Sequence, residues 1–157
     1  MSFQAKCWII FKVRPISYVT LIRALAAADW SFSADNTIEY MVQGSNGLPD
    51  QRKASLVDKE HVLDELRNSE EKGELIGIDL FWKIPPAGIF VAFNIPDDPK
   101  VTGRDHLYLL CIDHRVLASD REDETYTNRS WYESRILPLL QREGCTIESV
   151  EWYEGRG

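Results

Sequence analysis

The 157-residue chain has little of the material from which several common classes of protein are built. Its apolar runs are all far shorter than the ~20 residues of a membrane-spanning helix, so we expect no membrane association. It has only three cysteines, Cys7, Cys111 and Cys145, without Cys-x-x-Cys spacing. Cys7 and Cys111 lie in apolar runs, which predicts buried, reduced thiols rather than a disulfide framework. No signal-peptide pattern opens the chain, and together these features predict a cytoplasmic protein.

Positive charge is also scarce. The chain has 18 Lys and Arg against 25 Asp and Glu, a formal net charge of −7, and its longest purely basic run is Arg52-Lys53. Phosphate backbones attract clusters of Lys and Arg, so we expect no nucleic-acid partner. An acidic chain suits a basic protein partner, although moderate negative charge also serves simply to keep a domain soluble.

The chain lacks the motifs of metal, nucleotide and nucleophile chemistry. Its three histidines, His61, His106 and His114, form no His-Glu-x-x-His pattern, and no glycine-rich nucleotide fingerprint or Gly-x-Ser-x-Gly elbow occurs. Cys111 stands near Asp113 and His114, but within an apolar run that indicates an inert thiol. We therefore predict no catalytic residue, no cofactor and no metal. A site assembled in space from loop residues stays open.

What is present is an ordinary globular composition, 44% hydrophobic and 27% charged, of a length typical of one domain spanning residues 1–157. Apolar periods of two and 3.6 residues predict six strands and three helices. The predicted strands cover residues 5–13, 37–43, 75–84, 89–95, 107–117 and 146–153. The predicted helices cover residues 17–29 and 56–72, and a third runs from a cap at Thr127 or Asn128 to Gly144.

Turn residues complete this prediction. Residues 44–50 form a dense Gly, Asn and Pro cluster that predicts an exposed loop. Ser17 is expected to cap the first helix and Gly73 to end the second. Pro138 lies inside the third helical pattern and predicts a kink or two short helices.

The resulting element order is β-α-β-α-β-β-β-α-β. Two adjacent strands in the middle of the chain suggest an antiparallel hairpin, flanked by helix-containing units. This order predicts an α+β fold, with a mixed, mostly antiparallel sheet of about six strands and about three helices packed mainly on one face.

Acidic residues gather at Asp97-Asp98, at Asp120 to Glu124 and at Glu148, Glu151 and Glu154, and the middle group leads into aromatic residues. Carboxylates steer a basic partner and aromatic rings anchor it, which makes this segment a candidate binding surface. The alternative is a solvated face beside core aromatics. The candidate partner-binding residues are Asp97, Asp98, Asp120, Glu122, Asp123, Glu124, Tyr126 and Trp131.

Three functions fit this sequence. The favoured one is a non-enzymatic protein-binding module, most specifically a bacterial immunity or antitoxin-type protein that neutralises a basic toxin. The second is a small enzyme or ligand-binding protein whose pocket is framed by residues 44–50 and 96–105. Asp79, within an apolar strand, is a separate candidate for a catalytic carboxylate, unless it lies on a solvent face. The third is a structural subunit of a homo-oligomer.

Overall fold

The computed structural model describes residues 3–96, 98–111, 115–118 and 126–156. The α+β fold predicted from the sequence is confirmed. The strands are β1 (Phe3–Val13), β2 (Thr37–Gln43), β3 (Pro49–Ser55), β4 (Ile76–Trp82), β5 (Ala87–Phe93), β6 (His106–Cys111) and β7 (Thr146–Arg156). The helices are α1 (Tyr18–Ala27), α2 (Lys59–Glu71) and α3 (Arg129–Arg142). None of these helices is long and apolar enough to cross a membrane.

The seven strands form one sheet in the order β3-β2-β4-β5-β6-β1-β7. Every neighbouring pair among the described strands is antiparallel, which confirms the mostly antiparallel sheet. The β4–β5 hairpin is also as predicted. The strand number differs slightly, seven instead of about six, and the additional strand is β3.

Strand β3 was missed because its sequence, Pro-Asp-Gln-Arg-Lys-Ala-Ser, carries no apolar alternation. It forms because Gly44 and Leu48 close a tight turn, with the Gly44 amide donating to the Leu48 carbonyl at 2.7 Å and Gly47 at a φ of 81°. The turn sets the register from Gln43 opposite Pro49 onward. A polar strand at a sheet edge leaves no hydrophobic signal in the sequence.

All three helices pack on one face of the sheet. Their apolar residues share a single core with alternate strand residues, as period-two geometry requires. The strand residues at the centre of this core are Cys7, Ile9, Ile38, Ile78, Leu80, Ile89, Val91, Leu107 and Leu109. The predicted packing of helices on one face is thus observed, and the opposite face carries no helix from the described chain.

Side-chain oxygens accept hydrogen bonds from backbone amides at the N-terminal ends of α1 and α3, but at α1 the acceptor is not the predicted Ser17. Asn128 caps α3, since its Oδ1 accepts from the Trp131 amide at 3.1 Å. Ser17 immediately precedes α1, but the Val19 amide in the first turn donates to Glu70 of α2. Glu70 Oε1 accepts from this amide at 3.0 Å and from the Ser17 hydroxyl at 3.1 Å. One carboxylate therefore both caps α1 and ties it to α2.

The C-terminal ends and the internal proline can be compared directly with the prediction. Gly73 and Gly144 follow α2 and α3 at φ values of 71° and 91°, the left-handed conformation that glycine adopts without strain. Pro138 lies inside one continuous α3 rather than between two short helices. Losing a single backbone donor does not split α3, because Ile136 and Leu140 on either side are buried in the core.

Residues 94–96 and 98–105, here called the covering segment, lie over part of the face opposite the helices, here called the helix-free face. Ile95 and Val101 of the covering segment pack on Trp8, Ile10 and Tyr108, which point away from the helices. This second, smaller cluster closes the face over β1 and β6.

His106 is buried beneath this covering segment, with 3% of its surface exposed. Its Nε2 accepts from the Ile95 amide at 3.3 Å, and its Nδ1 lies 2.9 Å from the Arg104 carbonyl. The neutral tautomer with a proton on Nδ1 satisfies both bonds. Burial lowers the pKa of His106 below its ordinary value, against the opposing effect of the Arg104 carbonyl.

This geometry predicts a pH-dependent stability. In the unfolded chain His106 protonates at the ordinary histidine pKa of about 6.5, which is above its pKa in the folded chain. Protonation of His106 therefore leaves the free energy of unfolding unchanged above that pH and lowers it below that pH. We expect the melting temperature to fall between about pH 7.5 and about pH 5.5, and to fall less in His106→Gln. The exposed His61→Gln is the matched control and should keep the wild-type decline. Equal declines in His106→Gln and wild type would contradict this account.

Candidate functional site

The structure describes three of the eight candidate partner-binding residues. Asp97, Asp120, Glu122, Asp123 and Glu124 lie outside the described residues. Asp98 belongs to the covering segment on the helix-free face, where its carboxylate accepts from Trp8 Nε1 at 3.3 Å and from the Lys100 amide at 2.9 Å. Its carboxylate therefore already organises this turn.

Trp131 lies on the opposite side of the sheet, in an aromatic cluster beside the helices. The cluster consists of Trp30, Trp82, Trp131, Tyr132 and Trp152. The Trp131 ring meets Trp82 edge-to-face at 5.6 Å, and the Arg135 guanidinium lies 4.3 Å from its centroid. Trp131 is half-buried, so most of its side-chain surface contacts other residues of the fold. The structure does not bring Asp98 and Trp131 together.

Tyr126, the third described candidate, is 44% exposed and precedes α3. Its carbonyl accepts from the Ala118 amide at 3.1 Å, and the Asn128 amide donates to the Val116 carbonyl at 2.9 Å. These bonds pair residues 116–118 with residues 126–128. Tyr126 thus stands on a short antiparallel stem and not among the sheet residues described below.

A nearly buried ion pair anchors this stem to β7. Glu154 accepts from the Thr127 amide and from Arg129, at 2.9 Å, and its Oε1 lies 3.7 Å from Arg115. Only 8% of the Arg115 side chain and 10% of the Glu154 side chain are exposed. Burial acts to raise the pKa of Glu154, but the hydrogen bonds from Thr127 and Arg129 outweigh it and hold the pKa below its ordinary value.

The other two glutamates of β7 are also paired within the chain. Glu148 bonds Arg104, and Glu151 lies 3.9 Å from Lys100. Each glutamate of the group Glu148, Glu151 and Glu154 therefore has a cationic side chain of the same chain beside it.

The three thiols are buried and unpaired, as predicted for Cys7 and Cys111. Burial raises the pKa of Cys7, and it raises the pKa of Cys111 to about 12 and of Cys145 to about 11. At neutral pH these thiols stay protonated, and a protonated thiol is a poor nucleophile.

The part of the helix-free face left open by the covering segment contains a cleft of about 380 Å³, here called the sheet groove. Its lining includes Gln51 of β3 and half-buried side chains from β2, β4, β5 and β6: Glu39, Met41, Asp79, Phe81, Phe90 and Leu110. Strand register brings them together, since Asp79 pairs with Phe90 and Phe90 pairs with Leu110 on successive strands.

A glycine shapes the sheet groove. The Phe90 ring lies over Gly77 of β4, and a Cβ at residue 77 would overlap the ring atoms Cζ and Cε2. The absent side chain therefore lets the ring lie across the neighbouring strand. The sequence signal for this arrangement was the glycine inside an apolar strand, which marks a close approach by another group.

Charge at the sheet groove comes from Glu39 and Asp79. Glu39 lies 3.5 Å from Lys53 Nζ on β3, an exposed pair that adds little to stability. Asp79 is half-buried on the helix-free face, so the interpretation of Asp79 as a residue of the non-core face is supported. An apolar floor flanked by carboxylates suits a side chain that combines an apolar stem with a cationic head.

Sequence reasoning missed the sheet groove, because it depends on three strand pairings. The pocket expected between residues 44–50 and 96–105 is not what forms the groove. Residues 44–48 close the β2–β3 turn, and the covering segment packs on Trp8 and Ile10. Within the described ranges, no group of three or more His, Cys, Asp and Glu residues is arranged to hold a metal ion.

Comparison with models of known protein families, with curated protein sequences and with solved structures found no match.

The contact between Gly77 and Phe90 yields a testable prediction. Gly77→Ala should lower the free energy of unfolding by about 1–3 kcal/mol, because the new methyl group forces the Phe90 ring to move. In a Phe90→Ala background the same substitution should cost much less, since the overlapping ring is gone. Denaturant unfolding of the four chains of this double-mutant cycle measures the coupling. Additive effects would contradict the proposed contact.

Proposed function

We propose that this chain is a non-enzymatic protein-binding module that binds a basic protein through the sheet groove. The observation that carries the proposal is the set of half-buried apolar side chains Met41, Phe81, Phe90 and Leu110 on the face that carries no helix from the described residues. The solvent face of an antiparallel sheet is ordinarily polar. An apolar cleft with a polar rim is typical of a protein interaction site.

Charge supports a basic partner over a neutral one. Glu39 and Asp79 stand at the sheet groove, and the chain has a formal net charge of −7. A Lys or Arg side chain of a partner would lay its aliphatic stem on Phe90 and Met41 and bring its head to these carboxylates. Complementary net charge would also accelerate the encounter.

Within this class we propose an immunity or antitoxin-type protein of bacterial origin that acts in the cytoplasm. A toxin with a basic cleft for nucleic acid would be blocked by an acidic protein that occupies the cleft. The buried, unpaired Cys7, Cys111 and Cys145 support a reducing compartment. A contribution of the acidic run from Asp120 to Glu124 to partner binding stays a prediction from the sequence.

A matched pair of substitutions tests the surface. Leu110→Arg places a cation and excess volume in the sheet groove, whereas Val57→Arg places the same side chain at a position that is 89% exposed and outside it. The tagged wild-type chain and both variants are used to capture partners from source-organism lysate at low salt. We expect Leu110→Arg to lose the salt-sensitive partner of the wild type and Val57→Arg to retain it.

Circular dichroism melts must accompany the capture, and both variants should melt within a few degrees of wild type. A folded Leu110→Arg chain that retains the partner would contradict binding through the sheet groove. Light scattering addresses self-association: a wild-type dimer that Leu110→Arg converts to a monomer would assign the groove to a second copy of the chain instead.

A further inference from the structure

A second cleft, here called the hairpin cleft, lies at the end of the β4–β5 hairpin and has a volume of about 660 Å³. One wall comes from the segment after α1, with Asp29, Ser31 and Ala34, and the other from the hairpin end, with Trp82, Ile84 and Pro86. This volume is within the range of small-molecule sites, which cover about 300–1,000 Å³. Phe81 contributes to the linings of both this cleft and the sheet groove, so the two clefts adjoin.

Hydrogen bonds to backbone carbonyls fix both walls of the hairpin cleft. The Ser31 amide donates to the Phe81 carbonyl at 2.8 Å, and the Phe81 amide donates to the Ser31 carbonyl at 2.9 Å. On the hairpin side, Trp82 Nε1 donates to the Ile84 carbonyl at 2.9 Å. The cleft is therefore held open by the fold before any ligand arrives, which lowers the entropic cost of binding.

The hairpin wall is aromatic and aliphatic. Trp82 is held from behind by Trp30, at 5.1 Å between ring centroids, and by the Arg135 guanidinium, at 5.4 Å. Ile84 is 79% exposed, an apolar side chain left in water at the cleft. A flat apolar body placed here would cover Ile84 and contact Trp82, gaining both hydrophobic burial and ring packing.

Two charged residues, Asp29 and Lys83, line the hairpin cleft, and the entropic cost of ordering their side chains differs. Neither Asp29 nor Lys83 forms an ion pair or a side-chain hydrogen bond with any residue that the structure describes. The Lys83 ammonium sits on a flexible four-carbon stem whose ordering is entropically costly. Asp29 has a short side chain on a backbone fixed at a φ of 81°, directly after α1. Asp29 is therefore the better preorganised charge.

We propose that the hairpin cleft is a binding site for a small organic molecule with an aromatic body and a protonated amine. The aromatic body packs on Trp82 and Ile84, and the ammonium pairs with the Asp29 carboxylate. This site is independent of the sheet groove and of the proposed protein partner.

Three probes with one ring and different charge test the proposal: tryptamine, tryptophol and indole-3-propionate. Binding is followed by the NMR signal of the Trp82 indole N–H, which is assigned by its loss in Trp82→Phe. We expect tryptamine to bind tightest, tryptophol more weakly and indole-3-propionate weakest. No shift at Trp82 with any probe, or the reverse order, which would point to Lys83, would overturn the proposal.

Variants then locate the charge. Asp29→Asn should weaken tryptamine binding about tenfold and leave tryptophol unchanged, since charge-assisted bonds are worth more than neutral ones. Asparagine tolerates the left-handed backbone at this position, so the wall is preserved. Glu71→Gln removes an exposed carboxylate from α2 outside the cleft and should leave both affinities unchanged. Equal losses in Asp29→Asn and Glu71→Gln would overturn the assignment to Asp29.

A filling substitution completes the test. Ala34 is exposed and lies on the wall formed by the segment after α1. Ala34→Trp should block binding of all three probes while the melting temperature stays near wild type. Undiminished binding of tryptamine by a folded Ala34→Trp chain would place the probe elsewhere and overturn the proposal.

Discussion

The packing of all three helices on one face of an antiparallel sheet is the constraint on which the rest of this structure depends. It gives alternate residues of β1, β2, β4, β5 and β6 a shared core and commits the other residues to the opposite face. That face must then be closed by other means. The covering segment closes it over Trp8 and Ile10, and what this segment leaves open is the sheet groove.

Strand β4 shows how one element serves both sides. Ile78 and Leu80 enter the helix-side core, Trp82 closes the aromatic cluster, and Gly77 gives the Phe90 ring its place on the other face. Phe81 lines both the sheet groove and the hairpin cleft. The two candidate sites therefore share a rigid frame, and each takes its shape from residues that the core already holds in position.

The features that the sequence predicted correctly are those that local patterns determine. Period-two alternation located β2 and the β4–β5 hairpin, Asn128 and Gly144 marked the ends of α3, and the apolar surroundings of Cys7 and Cys111 indicated buried thiols. These signals require no knowledge of which strands pair.

The features that were missed depend on pairing over long distances. Strand β3 is polar and exists only through its register with β2, and the sheet groove requires β2, β4, β5 and β6 to lie side by side. The glutamates of β7 form an acidic group in the sequence, but in the fold Glu154 pairs with Arg115 and Arg129. Asp98 and Trp131 were both predicted as partner-binding residues, but the sheet separates them.

The most direct test of a binding surface on the helix-free face uses Met41. The chain has only two methionines, so a methyl-labelled sample gives one signal from the sheet groove and one from Met1. Addition of the captured partner should shift or broaden the Met41 methyl resonance. A saturated complex in which the Met41 resonance is unchanged would contradict the account and move the binding surface away from the groove.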